Sequence, residues 1–495
     1  MSARGEGGPA RPVLRLAWQS GVYALGNLAL KAAGLLLLPL LLDPALLSQA
    51  DYGYLGLLEA VAQLAIAVTG LGLASGLLRY TTTSAPRAER DAYVVTAFLT
   101  TALAAAAAFA LAAALAGPLA EVLLRDSARA GVLRWTGAYV ALKVVGAVPY
   151  MTLRVRERPG VFLAALLLEI AVLVAGVWVA LARYDAGLEG VMRAYAISAG
   201  VAAVPLSALV LRRLRAGWRP ELAGRLLRFG MPLVGAALAG ILLNAGDRFV
   251  LDRLAGPEVL AVYVLAAKFG GLINMLFVQS FNMAFSVLGL KSIGAGEGTD
   301  FHRRAFRHFV VAAGWGVLGV SVLTRDVTAW LSPNPAYLDA EPLVLPIAFG
   351  FLLYGVYYLV VNVLYAAERT RQVAGLVAVA AVANLALNVA LVPVLGAMGA
   401  ALATLAAYAL LVAVSVRQAR QAGPLALPWG ALAATALLVG GLWALAQPSA
   451  DWGTPERLAA RLALVAAYPA LVLAAGLYSW REVRALAHAL RQRLG

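Results

Sequence analysis

GMPLVGAALAGILLNAGDRFVLDRLAGPEVLAVYVLAAKFGGLINMLFVQSFNM, residues Gly230–Met283, sets the frame for the whole chain. Two long apolar runs meet there at a short hinge and carry Asp247, Arg248 and Lys268 with several Asn and Gln. A helix needs about 20 apolar residues to cross a bilayer. Charge inside such a helix is costly and marks a pathway or a site. The stretch also echoes the start of the chain. Gly21, Asp43 and Tyr54 recur as Gly230, Asp252 and Tyr263 at one constant offset of 209 residues.

Working outward, the 495-residue chain is 62% hydrophobic and 13% charged, with a mean hydropathy of +0.82. Soluble domains carry about 25% charged residues, so composition points to an all-α polytopic membrane protein. Apolar runs predict about fourteen spans, near 15–42, 52–78, 92–116, 131–152, 160–182, 187–211, 229–251, 257–288, 307–324, 341–366, 372–393, 396–416, 428–446 and 461–479. The runs are too long, and too rich in Ala and Leu, for barrel strands. Charge gives an independent check. With the N-terminus inside, the cytoplasmic connectors hold about 27 Lys and Arg, against about 9 near the outer face. That bias has the sign of the positive-inside rule. It places both termini in the cytoplasm and accounts for the net charge of +15 without nucleic acid. The basic N-terminus runs into apolar sequence too long for a cleaved signal core, so it reads as a first span. There is no Cys, which removes disulfides and thiolate metal sites.

The echo extends further. Gly187-Leu188-Glu189-Gly190 aligns with Gly396-Ala397-Met398-Gly399 at 209, and Glu157-Arg158 with Glu368-Arg369 at 211. Several matches in one order predict a duplication of six helices. Six is even, so the copies enter from the same side, as in parallel-repeat transporters. The expected organisation is an N-lobe over 1–211, a cytoplasmic linker over 212–228, a C-lobe over 229–421, and two further spans with a basic tail over 422–495.

On these residues the chain resembles the polysaccharide biosynthesis, O-antigen flippase-like branch of the multidrug/oligosaccharidyl-lipid/polysaccharide (MOP) exporter superfamily. The motifs are Gly53-Tyr54-Leu55-Gly56, Gly70-Leu71-Gly72 with Arg79-Tyr80, Asp247-Arg248-Phe249-Val250-Leu251 leading to Val262-Tyr263, and Glu368-Arg369-Thr370. The resemblance runs through the chain in order. It implies a V-shaped pair of six-helix lobes that flips undecaprenyl-pyrophosphate-linked oligosaccharides across an inner membrane by alternating access. A polysaccharide polymerase and glycosyltransferases are the partners it implies. Another MOP exporter, for peptidoglycan precursors or for drugs with cation coupling, is the alternative reading, with a polytopic polymer-assembly enzyme behind it.

Enzyme signatures are missing. His302, His308 and His488 all fall in segments read as cytoplasmic, so neither a His-based metal site nor a triad is expected in the membrane. Gly70-Leu71-Gly72 lacks the third glycine of a dinucleotide loop and reads as packing. No cofactor is expected; a coupling ion, H+ or Na+, is left open. The charged residues within spans are Lys31, Glu59, Lys143, Glu169, Asp247, Arg248 and Lys268. Lys143 and Glu169 sit at similar depth and read either as a pair inside one lobe or as cavity residues. Glu59 and Lys268 are equivalent in the two copies but opposite in charge, which makes them the candidate gate. Lys31, Arg248 and Lys268 are candidate counter-charges for a pyrophosphate. Asn274, Gln279 and Asn282 are candidate partners for sugar hydroxyls, or else interhelical glue.

Overall fold

A backbone in hydrocarbon has to close its hydrogen bonds within its own segment, and the long Ala/Leu runs do so as helices. The computed structural model describes residues 34–82, 86–212, 216–283, 298–423 and 425–478, together with 214, 285, 289, 480, 482 and 484. No strand occurs among the described residues. Thirteen helical segments there are long and apolar enough to span a bilayer, and they correspond to the second to fourteenth expected spans. Most of the first expected span, with Lys31, lies outside the described residues.

The helices used below are α1 Leu38–Leu41, α2 Gln49–Thr69, α3 Leu73–Thr82, α4 Arg87–Ala114, α5 Ala116–Leu124, α6 Ala130–Val155, α7 Pro159–Trp178, α8 Gly187–Leu211 and α9 Pro220–Ala245. They continue as α10 Asp247–Ala255, α11 Pro257–Ile273, α12 Gly298–Leu331, α13 Glu341–Ala366, α14 Thr370–Leu395, α15 Ala397–Ala422, α16 Trp429–Ala446 and α17 Thr454–Ala474. Two compact units result, Met1–Ile241 and Leu242–Gly495, divided inside α9. That helix starts at Pro220, within the stretch read as linker.

In the first unit, the expected second span is broken. Leu71 and Gly72 have φ of 52° and 65°, a left-handed step that ends α2 and starts α3. Gly72 lies backbone to backbone against Gly230 of α9: a Cβ built on it would come within 2.4 Å of the Gly230 carbonyl oxygen. One turn on, Gly76 faces Leu226. The small-residue run Gly72–Gly76 is therefore a packing surface for α9, the close approach that small residues permit in membranes. Below it, Leu77, Tyr93 and Leu226 belong to one core, with Tyr80 stacked on Tyr93 at 5.2 Å.

The duplication is visible in the backbone. Helices α6 and α13 are both 26 residues long. Each ends in the same cap: Arg158 N–H donates to the Leu153 carbonyl at 2.9 Å, and Arg369 N–H to the Leu364 carbonyl at 2.9 Å. The residue before each, Glu157 or Glu368, is left-handed at φ 51° or 58°. Gly187 and Gly396, which precede the last helix of each set, have φ of 51° and 56°. A left-handed C-terminal cap of this kind satisfies the last carbonyls of a helix.

In the second unit, α12 runs seven residues past the expected end of its span, to Leu331. Asp326 and Glu341, at the edges of the expected spans 307–324 and 341–366, join a buried ion network. Arg461 of α17 is fully buried and reaches Asp326 at 3.1 Å and Glu341 at 2.9 Å, and Arg457 reaches Asp326 at 2.7 Å. Arg461 also donates to the Val322 carbonyl at 2.9 Å and to Ser449 Oγ at 3.2 Å. A guanidinium can be buried only with its donors matched this way. Half-way along α12, Gly314 touches Thr435 and Tyr468. The two appended helices are thus bound to α12 by packing and by charge.

Replacing Gly72 or Gly230 by alanine forces two backbones apart, and overpacking of this kind costs about 1–3 kcal/mol. Gly235, on the same helix as Gly230 and with no atom within 4 Å of a Cβ built on it, is the control. Thermal unfolding of detergent-purified protein should show lower midpoints for G72A and G230A, and little change for G235A.

Candidate functional site

Each unit carries polar groups that apolar helices hold out of water. In the first unit they gather along one face of α6, where Tyr139, Lys143 and Tyr150 are spaced by four and seven residues and so share a stripe. Lys143 Nζ lies 2.7 Å from Glu169 Oε1, with the lysine side chain 24% exposed and the glutamate 5%. Tyr150 Oη donates to Glu169 Oε2 at 3.2 Å. Across the stripe, Glu59 of α2 accepts from Tyr195 of α8 at 3.1 Å, and Tyr139 stands edge-on to the Tyr195 ring at 5.4 Å. Lys143 and Glu169 thus form an ion pair inside one unit, and Lys143 is its more accessible member.

In the second unit the group is a carboxylate among hydroxyls and amides. Asp247 opens α10 just after the Gly246 break, where a helix N-terminus favours negative charge. It is 3% exposed, so it does not sit in interfacial water as its place near a span end suggests. Its Oδ2 accepts from Tyr263 Oη, and from Thr404 Oγ1 at 3.3 Å. Asn384 and Asn388 of α14 continue the chain of contacts, Asn384 Nδ2 reaching Thr404 at 3.4 Å and Asn388 Nδ2 the Asn384 carbonyl at 2.9 Å. Asp247 Oδ1 and Asn388 Oδ1 are buried with no hydrogen-bond partner. Nearby, Tyr408 donates to Asn244 Oδ1 at 2.7 Å.

The other expected residues are placed as follows. Glu59 lies in the first unit and Lys268 in the second, on α11. Arg248 and Lys268 are half-buried. Asn274 opens a π-helical turn, Asn274–Val278, and Gln279 caps it. With Asn282 they are half-buried, and such turns recur at functional sites because they re-aim side chains. Among the described residues, no cluster of three or more His, Asp or Glu could hold a metal ion. His302 and His308 lie in the first three turns of α12, and His488 is outside the described residues.

Two features escaped the sequence reading. Asp247 was noted, but Thr404 and Asn384 are brought to it from 157 and 137 residues away and carry no local signal. A second is a cavity of about 460 Å3 in the first unit, lined by Arg87, Arg90, Asp91, Arg156 and Arg158. In sequence those arginines only report topology.

The polysaccharide biosynthesis protein family matches residues 17–286, more than half of the chain. The chain belongs to that family. The MatE family matches residues 232–390 as well. This polysaccharide biosynthesis family member is similar in structure to "Lipid II flippase MurJ, inward closed conformation", with a TM-score of 0.74 and 12% identity over 92% of this chain and 99% of that one. It is also similar to an inward-facing multidrug resistance MATE family transporter, with a TM-score of 0.63 and 15% identity over 83% and 97%. At such identities the likeness establishes the fold, which is that of the MOP superfamily of flippases and exporters. No curated protein sequence matches the chain.

Removing one partner of a buried ion pair strands the other charge and costs about 3–5 kcal/mol, whereas replacing both by apolar groups is often neutral. Lys143 is partly exposed, so the lower end applies. K143M and E169L should each lower the unfolding midpoint clearly, and the double variant should recover most of the loss in the same measurement.

Proposed function

We propose that this protein flips undecaprenyl-pyrophosphate-linked oligosaccharide, a polysaccharide or O-antigen repeat unit, across the inner membrane by alternating access. The observation that carries this reading is the family match over residues 17–286, joined to the fold of a lipid-precursor flippase along almost the whole chain. Relatives in fold are described both as inward-facing and as outward-facing, which supports two alternating states. Transport of this kind makes and breaks no bond, so no catalytic residue is assigned. A pyrophosphate crossing a low-dielectric region needs cations to meet it. Lys31, Arg248 and Lys268 are the candidates to supply them, with Lys143 where its ammonium is exposed. Asn274, Gln279 and Asn282 are the candidates to meet sugar hydroxyls. Both termini then lie in the cytoplasm, with glycosyltransferases supplying the substrate and a polymerase consuming it.

Proteoliposomes holding the purified protein and a fluorescent undecaprenyl-pyrophosphate oligosaccharide test this directly. Transfer of probe to the leaflet accessible to a membrane-impermeant quencher should exceed that in protein-free vesicles. The MurJ-like fold favours one second reading, a peptidoglycan precursor as cargo. Transfer of a lipid-linked disaccharide-peptide but not of the oligosaccharide would decide for it.

The same reading assigns Asp247 the coupling cation, H+ or Na+. Asp247 Oδ1 is buried without a hydrogen-bond partner and offers an oxygen acceptor to a proton or to a hard cation, which prefers oxygen donors. Sodium ions should raise the unfolding midpoint of the wild-type protein and not that of D247N if Na+ is the ion. If H+ is the ion, transport should follow an imposed pH gradient in the wild type and lose that dependence in D247N. A wild-type midpoint indifferent to sodium together with transport indifferent to the pH gradient would remove the assignment.

A further inference from the structure

The arginine-lined cavity of the first unit is not explained by topology. The positive-inside rule requires basic residues near one end of the spans, and it is met wherever their side chains point. Here, of six arginines at that end of α3, α4 and α6, namely Arg79, Arg87, Arg90, Arg154, Arg156 and Arg158, four converge on one space. Arg79 does not: its guanidinium lies over the Phe229 ring at 4.7 Å. Arg154 is not part of the lining either.

Among the described residues, four guanidinium groups line the space with a single carboxylate. Asp91 reaches Arg156 at 3.5 Å, which ties α4 to the end of α6. Arg87, Arg90 and Arg158 have no ion pair among the described residues. Helix α4, 28 residues long, begins at the cavity with Pro86 giving no side-chain cap, so the positive end of its dipole adds to the same field. The walls behind the arginines are fixed rather than loose. Leu77, Val94 and Thr152 are buried, and the hydroxyls of Thr81 and Thr152 are tied to the carbonyls of Leu77 and Val148 at 2.6 and 2.8 Å. A volume of about 460 Å3 falls within the range of about 300–1,000 Å3 that small-ligand sites occupy.

We infer that this cavity binds a phosphate-bearing group at the arginine-rich end of the first unit. Guanidinium is the group best matched to phosphate, because its planar donors pair two oxygens at once. Two sources carry that chemistry at this depth: the headgroup of an anionic phospholipid, and the pyrophosphate of a lipid-linked glycan before it enters the transport path. The second source rests on the proposed function; the first does not.

Full-length protein in phosphatidylcholine nanodiscs separates these cases. Inorganic pyrophosphate, titrated calorimetrically, should bind the wild type and bind R87Q/R90Q and R158Q about tenfold or more weaker, since charge-assisted hydrogen bonds are lost. R154Q is the matched control and should retain wild-type binding. Equal affinity in all four proteins would overturn the site. Two further probes assign the source. Phosphatidylglycerol retained by the wild type and not by R87Q/R90Q in native mass spectrometry marks the site as a lipid-headgroup site. Undecaprenyl pyrophosphate retained in the same selective way marks it as a substrate site, and the oligosaccharide transfer assay should then show a raised half-saturating substrate level in R87Q/R90Q. If wild-type protein transfers no oligosaccharide while arginine-dependent pyrophosphate binding persists, the transport reading fails and the site stands. If transfer is normal and binding ignores the arginines, the reverse holds.

Discussion

A carboxylate among apolar helices has to find its hydrogen-bond donors inside the protein, because hydrocarbon offers none. Much of the interior answers that demand. Glu169 is met by an ammonium and a phenol, Glu59 by a phenol, Asp247 by a phenol and a threonine hydroxyl, and Asp326 and Glu341 by guanidinium groups. In every case the donors sit on a helix other than the one that carries the acid. Each buried acid therefore also fixes how its helices are rotated and how far they slide. Packing among Ala, Leu and Val alone specifies rotation weakly, since lipid tails are as apolar as the side chains they would replace.

The same demand explains where the two appended helices belong. Apolar composition lets α16 and α17 face lipid on most sides, and many of their residues are exposed. What seats α17 is a guanidinium that cannot remain unpaired. Arg461 reads across from α17 to Asp326 on α12 and to Glu341 at the start of α13. Ser449, in the turn after α16, accepts from the guanidinium Nε.

The fold was largely legible because its signals are local. Span length, the charge asymmetry of connectors and the 209-residue echo all survive in a single sequence. The left-handed caps at Glu157 and Glu368 fall on the Glu-Arg dipeptides that the echo had aligned. The site was less legible, because its groups are assembled by tertiary packing. Lys143 and Glu169 could be paired by depth, being on consecutive helices. Asp247 and Thr404 could not, since the four helices α11 to α14 lie between them in the chain. The end of α12 was misjudged for a related reason: Arg325 and Asp326 look like a loop to any hydropathy pattern, but their pairing partners keep the helix intact through Leu331.

The duplicated scaffold does not carry duplicated chemistry. Helices α6 and α13 share length and cap, yet α6 presents Lys143 to Glu169, while α13 presents Tyr354, Tyr357 and Tyr358 in a stacked cluster. Likewise α2 carries Glu59 where α11 carries Lys268. The first unit thus closes its buried Glu169 carboxylate with its own ammonium. The second unit surrounds Asp247 with hydroxyl and amide groups and leaves oxygens on Asp247 and Asn388 unsatisfied. A buried acceptor without a donor is costly, and that cost falls whenever a cation arrives. An ion that binds one unit and is not needed by the other can favour one state of a transporter over another only through that difference. If Asp247 holds the coupling ion as proposed, the chemical divergence between the two copies is what gives the duplicated scaffold a means of being driven.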